Sequence, residues 1–245
     1  MSSRGDLAAV VETLRLAPTG GLIDADPADC ALSLGVDGVA VSALMGEGAS
    51  ELLWATSGAS TVLEDLQYTL GEGPGPDVAT SCAAVLVPDL TKVPADRWPA
   101  LLPQALRTGV EAVFCLPLHI GGACLGTFTL QCAAAGPLSE RDLADAWIVA
   151  NTLTSVLVRN AERWTATAED GSDLYRAVVH QAAGMISVQA EVSLAEALLL
   201  LRAHAFRQGT PVVRAAEDVV ARRVHFRNDG DEPGASGRRR DCTRP

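Results

Sequence analysis

The sequence has few aromatic residues and almost no lysine. Aromatic residues make up 4% of the 245 residues, and Lys92 is the single lysine. Proteins that bind single-stranded nucleic acid stack its bases on aromatic side chains, so this composition argues against a stacking platform of the OB or RRM kind. Lys92 has no neighbouring glycine, which excludes the phosphate-binding loop of the P-loop NTPases.

Motifs for metal binding and for catalysis are missing as well. None of the six cysteines belongs to a C-x-x-C pair or has a histidine at ligand spacing, so we predict no metal site. There is no G-x-S-x-G motif. Gly71 and Gly73 begin a G-x-G-x-x-G pattern, but Pro76 occupies the third glycine position. We therefore predict a protein that is not an enzyme, and its cofactor, if any, stays unknown.

No segment of the sequence predicts a membrane span. The most apolar segment, 110–135, is interrupted by Glu111, His119 and Gln131, and the first 20 residues carry charges within their apolar run. The cysteines show no disulfide framework. The sequence therefore predicts a cytoplasmic protein without a membrane partner.

Negative charge is concentrated in the first two thirds of the chain. Residues 1–160 hold 7 Lys and Arg against 18 Asp and Glu, whereas residues 174–227 hold 7 Arg against 4 Asp and Glu. An acidic surface repels a phosphate backbone. Any contact with nucleic acid is therefore expected in the C-terminal part.

The N-terminal part alternates between short strands and helices. Apolar runs at 38–45 and 50–56 predict one hairpin, and runs at 112–120 and 123–132 predict a second around a Gly-Gly turn. Helical segments lie before and between the two hairpins. The Gly- and Pro-rich segment 71–76 is predicted to be a rigid loop.

A long helix is predicted to follow the second hairpin. It begins at Ser139, which has an acidic residue three positions later, and continues to about 165. From Leu143 to Trp164 its apolar positions are spaced alternately 4 and 3 residues apart, which is an a/d pattern. This face either packs on the sheet or forms a coiled coil in a dimer.

A polar break at 169–172 separates this helix from the C-terminal part. We divide the chain into a domain over 1–160, whose linking helix runs to about 165, a helical domain over 173–227, and a disordered tail over 228–245. Three helices are predicted in the helical domain, at about 173–188, 193–208 and 211–226.

The three C-terminal helices resemble an ANTAR domain, the RNA-binding module of certain bacterial antiterminators. The matching residues keep the family's order and spacing: Ala182, Ala183, Gly184, Met185 and Ile186 for A-K-G-x-L, Ser193, Glu196 and Ala197 for S-x-x-E-A, Leu201, Arg202 and Ala205 for L-R-x-x-A, and Ala215, Ala216, Val219 and Val220 for V-A-x-x-I-V. Ala183 replaces the family's usual lysine, which removes one candidate phosphate contact.

The N-terminal part resembles a GAF domain. The matching segments are 71–74 (G-E-G-P), 87–89 (V-P-D), 117–118 (P-L) and 125–128 (L-G-T-F). The resemblance implies an α+β domain, an antiparallel sheet flanked by helices, followed by a small all-α three-helix ANTAR bundle. Together the two families imply transcription antitermination by a homodimer that binds RNA hairpins in nascent transcripts. Its GAF domain would sense an unknown small-molecule or redox signal.

The candidate RNA contacts are cationic residues that the helical periodicity places off the apolar stripe: Arg176, His180, Arg202, Arg207, Arg214, Arg222 and Arg223. Arg202 matches the family pattern best, and its guanidinium is expected to face solvent. The predicted structural positions of the bundle are Ala182, Gly184, Ala205 and Ala216. Gly184 is expected to allow close approach of the second helix, because a glycine inside a helix costs about 1 kcal/mol relative to alanine.

Two other functions fit parts of the sequence. The last helices could form the helix-turn-helix of a DNA-binding regulator, although Glu217 and Asp218 would be unfavourable in a major groove. Cys82 and Cys115 could meet in the N-terminal domain and support a thiol-redox enzyme or sensor. A buried free cysteine also serves simply as a small apolar residue, which accounts for them without chemistry.

Overall fold

The computed structural model describes residues 5–16, 23–45, 50–160 and 175–226. Several sequence predictions lie outside the described residues: the turn of the first hairpin at 46–49, the extension of the long helix beyond 160, the break at 169–172, the start of the first C-terminal helix at 173, and the tail at 228–245.

Five antiparallel strands form one sheet in the order β2-β1-β5-β4-β3. The strands are β1 (Gly38–Leu44), β2 (Ser50–Ala55), β3 (Val85–Val87), β4 (Ala112–Ile120) and β5 (Ala123–Cys132). Both predicted hairpins are confirmed as adjacent strand pairs. Gly121 in the turn between β4 and β5 has φ 56°, a left-handed conformation that favours glycine.

Helices cover both faces of this sheet. On one face lie α1 (Leu7–Arg15), α2 (Pro27–Leu34) and α6 (Glu140–Arg159), and on the other lie α3 (Ala59–Leu70), α4 (Pro74–Ser81) and α5 (Leu102–Ala105). Short 3-10 turns occur at Leu90–Lys92 and Leu106–Thr108. The fold is therefore the α+β arrangement expected for the N-terminal part.

The two faces of the central strands differ in polarity. Val39 and Val41 of β1 and Phe128 of β5 belong to the apolar core beneath α1, α2 and α6. Ser42 and Thr127, which pair in register, are buried on the opposite face. Successive residues of a strand point to opposite faces, so this alternation places a polar strip under α3 and α4.

The a/d face of α6 packs within the chain. Ala150 and Leu157 are buried in the core together with Leu14 of α1 and Leu116 of β4. Of the two predicted roles for this face, packing inside the domain is the one that the structure shows over the described part of the helix. The last predicted position, Trp164, lies outside the described residues.

The segment 71–76 is only partly a loop, because α4 begins at Pro74. Pro74 and Pro76 both lie in the first turn of α4, where a backbone N–H has no partner within the helix. A proline there costs no hydrogen bond. The proline content that predicted a loop is therefore compatible with a helix start.

The C-terminal part consists of α7 (Ala177–Ala190), α8 (Leu194–Gln208) and α9 (Val212–Val220). The predicted capping box is confirmed: Ser193 Oγ accepts the Glu196 N–H, and the Glu196 side chain accepts the Ser193 N–H. Gly209, with φ 63°, ends α8 as expected. α9 ends earlier than predicted, before Arg222, which has φ 59°.

No single helix in the described part of the chain has the length and apolar composition needed to cross a membrane. The successive helices α7 and α8 approach that composition only when taken together, and they are bent by 105° at their junction.

Candidate functional site

A cavity of about 630 Å³ lies beneath α3 and α4, against the polar strip of the sheet. The side chains that line it from the N-terminal domain include Ser42, Glu64, Gln67, Tyr68, Cys124 and Thr127. Arg202 of α8 also lines it, so the cavity is shared with the C-terminal helices. Its volume falls in the range of small-molecule sites, about 300–1,000 Å³.

Glu64 is the buried acid of this cavity. Ser42 Oγ donates to its Oε2 at 2.9 Å, and Gln67 Nε2 donates to its Oε1 at 3.0 Å. Burial raises the pKa of Glu64 above its ordinary value, an effect that the positive charge of Arg176 opposes. Both carboxyl oxygens thus have protein donors, and the group is more easily protonated than a surface glutamate.

The glycines at 71–75 shape the wall of the cavity around Gln67. The Gly75 N–H donates to Gln67 Oε1 at 2.7 Å. A Cβ on Gly73, which has φ 130°, would lie 2.6 Å from the same oxygen and 2.8 Å from Leu101. The glycines therefore have a packing role that does not require a phosphate ligand.

Tyr68 joins the cavity to the C-terminal helices. Its side chain is 4% exposed and belongs to the same apolar cluster as Val179 of α7 and Leu201 of α8. The guanidinium of Arg202 lies 4.4 Å from the centroid of its ring, and that of Arg176 lies 4.1 Å from it. Both distances are within the range of cation–π attraction.

Arg176, which precedes α7, is completely buried against the N-terminal domain. Its Nη2 donates to Asp65 Oδ1 at 3.2 Å and to the Glu64 carbonyl at 3.3 Å, and its Nη1 donates to the Ser50 carbonyl at 3.2 Å. The Asp65 carboxylate also accepts the Tyr175 hydroxyl at 2.8 Å. This set of contacts fixes the start of α7 on α3 and β2.

Glu51 of β2 is a second buried acid at this contact. It is 0% exposed, and its Oε1 accepts the backbone N–H of Arg176 at 2.7 Å. Its Oε2 lies 3.7 Å from Nε2 of His180, which is too far for a direct hydrogen bond. An acid in an apolar strand was the sequence signal for this contact, and sequence reasoning missed it.

The predicted exposure of two candidate RNA contacts is wrong. Arg176 is buried by its ion pair with Asp65, and the Arg202 guanidinium packs on Tyr68 instead of facing solvent. Their solvent exposure was predicted from the periodicity of the helical segments alone. That periodicity contains no information about contacts with a second domain. Their role in binding RNA stays a prediction.

The other candidate RNA contacts are at least partly exposed. His180 faces Glu51 and is 38% exposed. Arg214 pairs with Glu217, and Arg223 pairs with Asp218. Arg207 and Arg222 are exposed, and Arg207 contacts His204. Two of the exposed arginines in the described structure, Arg214 and Arg223, thus have carboxylate partners.

The predicted structural positions fall into two groups. Ala182, Ala205 and Ala216 are completely buried in the core of the bundle. The expectation of close packing at Gly184 is wrong, because a Cβ there would meet no atom within 4 Å. The helix approaches its neighbours on the alanine face, and Gly184 lies to the side of that contact.

The cysteines are arranged differently from the predicted pair. Cys82 interacts with Cys124, and burial together with this neighbouring thiol raises the pKa of Cys124 to about 11. Burial also raises the pKa of Cys115 well above its ordinary value. A thiol is nucleophilic as the thiolate, so these environments favour the unreactive form at neutral pH.

Comparison with known proteins agrees with this architecture. The family model of the GAF domain matches residues 27–157, more than half of the chain, and stops before the three C-terminal helices. The chain is similar to the GAF domain of a phosphoenolpyruvate-protein phosphotransferase from Coxiella burnetii, with a TM-score of 0.50 and 16% identity over 65% of this chain and 94% of that one. At this identity the similarity shows the fold alone.

Two further solved structures are similar to the chain. One is the GAF domain from an Acinetobacter phosphoenolpyruvate-protein phosphotransferase, with a TM-score of 0.48 and 14% identity over 65% of this chain and 94% of that one. The other is a free methionine-R-sulfoxide reductase from Neisseria meningitidis, with a TM-score of 0.48 and 15% identity over 66% of this chain and 96% of that one. No curated protein matches the sequence.

Proposed function

Because this chain belongs to the GAF domain family, we propose that it is a signal-responsive RNA-binding regulator that acts by transcription antitermination. In this proposal the GAF domain senses a small-molecule or redox signal, and α7–α9 act as an ANTAR unit that binds RNA hairpins in nascent transcripts. Two such units in a homodimer would hold tandem hairpins and prevent a competing terminator from forming.

The observation that carries the proposal is the docking of two candidate RNA contacts on the GAF domain. Arg176 is buried against Asp65, and Arg202 is stacked on Tyr68. In this arrangement both guanidinium groups face the GAF domain and are turned away from an RNA bound on the outer surface of the helices. A signal that changes docking would therefore change the positive charge available to RNA, on which affinity for a phosphate backbone depends.

The docked arrangement corresponds to low RNA affinity in this scheme. Besides the docked Arg176 and Arg202, two of the exposed arginines, Arg214 and Arg223, already have carboxylate partners. Release of the docked pair would add unpaired cations to this surface. The sensor would act by making docking more or less favourable, which requires a ligand that prefers one arrangement.

Binding of the full chain to an RNA with two tandem hairpins, compared with duplex DNA, tests the proposal. Asp65→Ala removes the carboxylate that binds Arg176 and Tyr175, and we expect it to raise RNA affinity several-fold. Asp29→Ala removes an equal charge from α2, on the opposite face of the sheet, and should leave RNA affinity unchanged.

The outcomes separate the alternatives. Preference for duplex DNA would support the helix-turn-helix regulator, and failure of wild type and Asp65→Ala to bind RNA would overturn the proposed function. Equal RNA affinity of Asp65→Ala and wild type would overturn control by docking. The unreactive environments of Cys115 and Cys124 give no support to a thiol-redox enzyme.

A further inference from the structure

The cavity beneath α3 and α4 presents hydrogen-bond donors that have no acceptor. The Tyr68 side chain is 4% exposed, and its buried hydroxyl has no hydrogen-bond partner among the described residues. Buried polar groups in folded proteins are nearly always paired. An acceptor in the adjoining cavity of about 630 Å³ would satisfy this hydroxyl.

Arg202 provides the positive charge next to this hydroxyl. Its guanidinium stacks on the Tyr68 ring, its Nε is buried without a hydrogen-bond partner, and no carboxylate among the described residues pairs with it. Arg176 differs, because its guanidinium donates to the Asp65 carboxylate and to the Ser50 and Glu64 carbonyl oxygens. Burial lowers the pKa of Arg202, an effect that the neighbouring Tyr68 hydroxyl opposes.

The opposite wall of the cavity is polar but already satisfied. Ser42 and Gln67 donate to the two carboxyl oxygens of Glu64, whose pKa is raised by burial. The hydroxyl of Thr127 lies on the same wall. A ligand placed between the walls thus meets a cation and a free hydroxyl on one side and hydrogen-bonding groups on the other.

We propose that the cavity binds a small organic anion, with its carboxylate or phosphate held by the Arg202 guanidinium and the Tyr68 hydroxyl. Its remaining polar groups face Glu64 and Thr127. Arginine is suited to this role because its planar guanidinium binds carboxylate and phosphate oxygens in pairs.

The proposed ligand couples the two parts of the chain. Arg202 belongs to α8, whereas Tyr68 and Glu64 belong to α3. An anion that contacts both sides binds the docked arrangement more tightly than an undocked one, and it stabilises docking. This consequence rests on the proposed function: the anion lowers RNA affinity, because it occupies Arg202 and keeps Arg176 buried.

Isothermal titration of the full chain with glycerol 3-phosphate and with glycerol, at constant ionic strength, tests the site. The two probes differ only in the phosphate group. We expect saturable binding of glycerol 3-phosphate and none of glycerol. Inorganic phosphate should compete with glycerol 3-phosphate, because the anionic group is the shared element.

Matched variants locate the binding residues. Arg202→Gln should raise the Kd for glycerol 3-phosphate at least about tenfold, as expected for loss of a charge-assisted hydrogen bond. Tyr68→Phe keeps the ring under Arg202 and removes only the orphaned hydroxyl, so it should raise the Kd by a smaller factor. Arg141→Gln, an exposed arginine in the first turn of α6 on the opposite face of the sheet, should bind like wild type. Circular dichroism of each variant confirms that the helices are retained, and Arg202→Lys, which keeps the charge, should bind more tightly than Arg202→Gln.

Two results would overturn the inference: no saturable binding of glycerol 3-phosphate by the wild type, or equal binding by wild type, Arg202→Gln and Tyr68→Phe. The titration contains no RNA, so its failure is distinct from failure of the proposed function. RNA hairpins that bind no form of the chain would leave the anion site intact and remove only its regulatory consequence. If both hold, glycerol 3-phosphate should weaken RNA binding by wild type and not by Arg202→Gln.

Discussion

Buried charge is the dominant feature at the scale of single residues. Arg176, Glu51 and Glu64 are all nearly inaccessible to water, and each is held by hydrogen bonds to the other part of the chain or to neighbouring side chains. Transfer of a charged group out of water is costly, so removal of one partner leaves the others uncompensated. These residues therefore link stability to docking.

Replacement of Arg176 should be strongly destabilising. Arg176→Ala leaves the Asp65 carboxylate without its cation and the Ser50 and Glu64 carbonyls without their donor, and loss of one partner of a buried pair costs about 3–5 kcal/mol. Urea unfolding of the full chain measures the change. Arg207→Ala, an exposed control, should change the free energy of unfolding by no more than about 0.5 kcal/mol. Similar values for the two variants would contradict the burial of Arg176.

Glu64 should make stability depend on pH in a definite direction. Because burial raises its pKa in the folded state, the folded protein holds this proton more tightly than the unfolded chain does. Its contribution to stability is present near the ordinary pKa of 4.5 and is lost as pH rises through the folded value. Glu64→Gln cannot ionise, so its melting temperature should fall less than that of wild type over this pH range. Parallel curves would refute the assignment.

Local signals define many helices and turns at the scale of elements. The caps at Asp26, Ser139 and Ser193 and the turn at Gly121 could all be read from sequence, because each satisfies a backbone group within a few residues. The start of α4 was missed, since prolines fit both a loop and a first helical turn. The role of Gly184 was misjudged because sequence shows only which residue is small, not what surrounds it.

Substitution of Gly184 should stabilise α7. A methyl group there meets no neighbour within 4 Å, and alanine is preferred over glycine inside a helix by about 1 kcal/mol. We expect Gly184→Ala to raise the free energy of unfolding by up to that amount. Gly126→Ala is the matched control: its new methyl would collide with the Ser42 carbonyl in β1, and it should destabilise the protein. A destabilised Gly184→Ala would restore the close-packing hypothesis.

The capping box of α8 gives a second test at this scale. Ser193→Ala removes the acceptor of the Glu196 N–H and should cost about 1 kcal/mol. Ser155→Ala, an exposed serine within α6 that bonds back to the Asn151 carbonyl, should be neutral or slightly stabilising. Thermal unfolding of both variants makes the comparison, and equal effects would show that the cap is not formed.

Tyr68 unites the two parts at the scale of the whole molecule. The C-terminal bundle includes this GAF-domain residue in its own apolar cluster. Neither this contact nor the pairing of Asp65 with Arg176 could be predicted, because each joins positions more than a hundred residues apart that share no local pattern. The hairpins and the polar strip at Ser42 and Thr127 follow from the alternation of apolar and polar residues, whereas Arg202, which completes the cavity, comes from a distant helix.

Loss of this ring should uncouple the unfolding of the two parts. Tyr68→Ala removes a buried aromatic side chain, which typically costs about 3–5 kcal/mol, from the contact between them. We expect calorimetry to show one cooperative transition for the wild type and two for Tyr68→Ala. Tyr68→Phe retains the ring and should retain the single transition. Two transitions in the wild type would contradict a shared core.

The place of Tyr68 also determines where this chain can be cut and recombined. A chimera joined at the end of α6 would keep the whole sensor, yet it would leave the Tyr68 ring and the Asp65 carboxylate facing water without their arginines. A foreign output domain could inherit the connection only if it brought cationic residues to these two positions. The exchangeable module in this molecule is therefore the helical unit together with the surface of α3 and β2 that receives it.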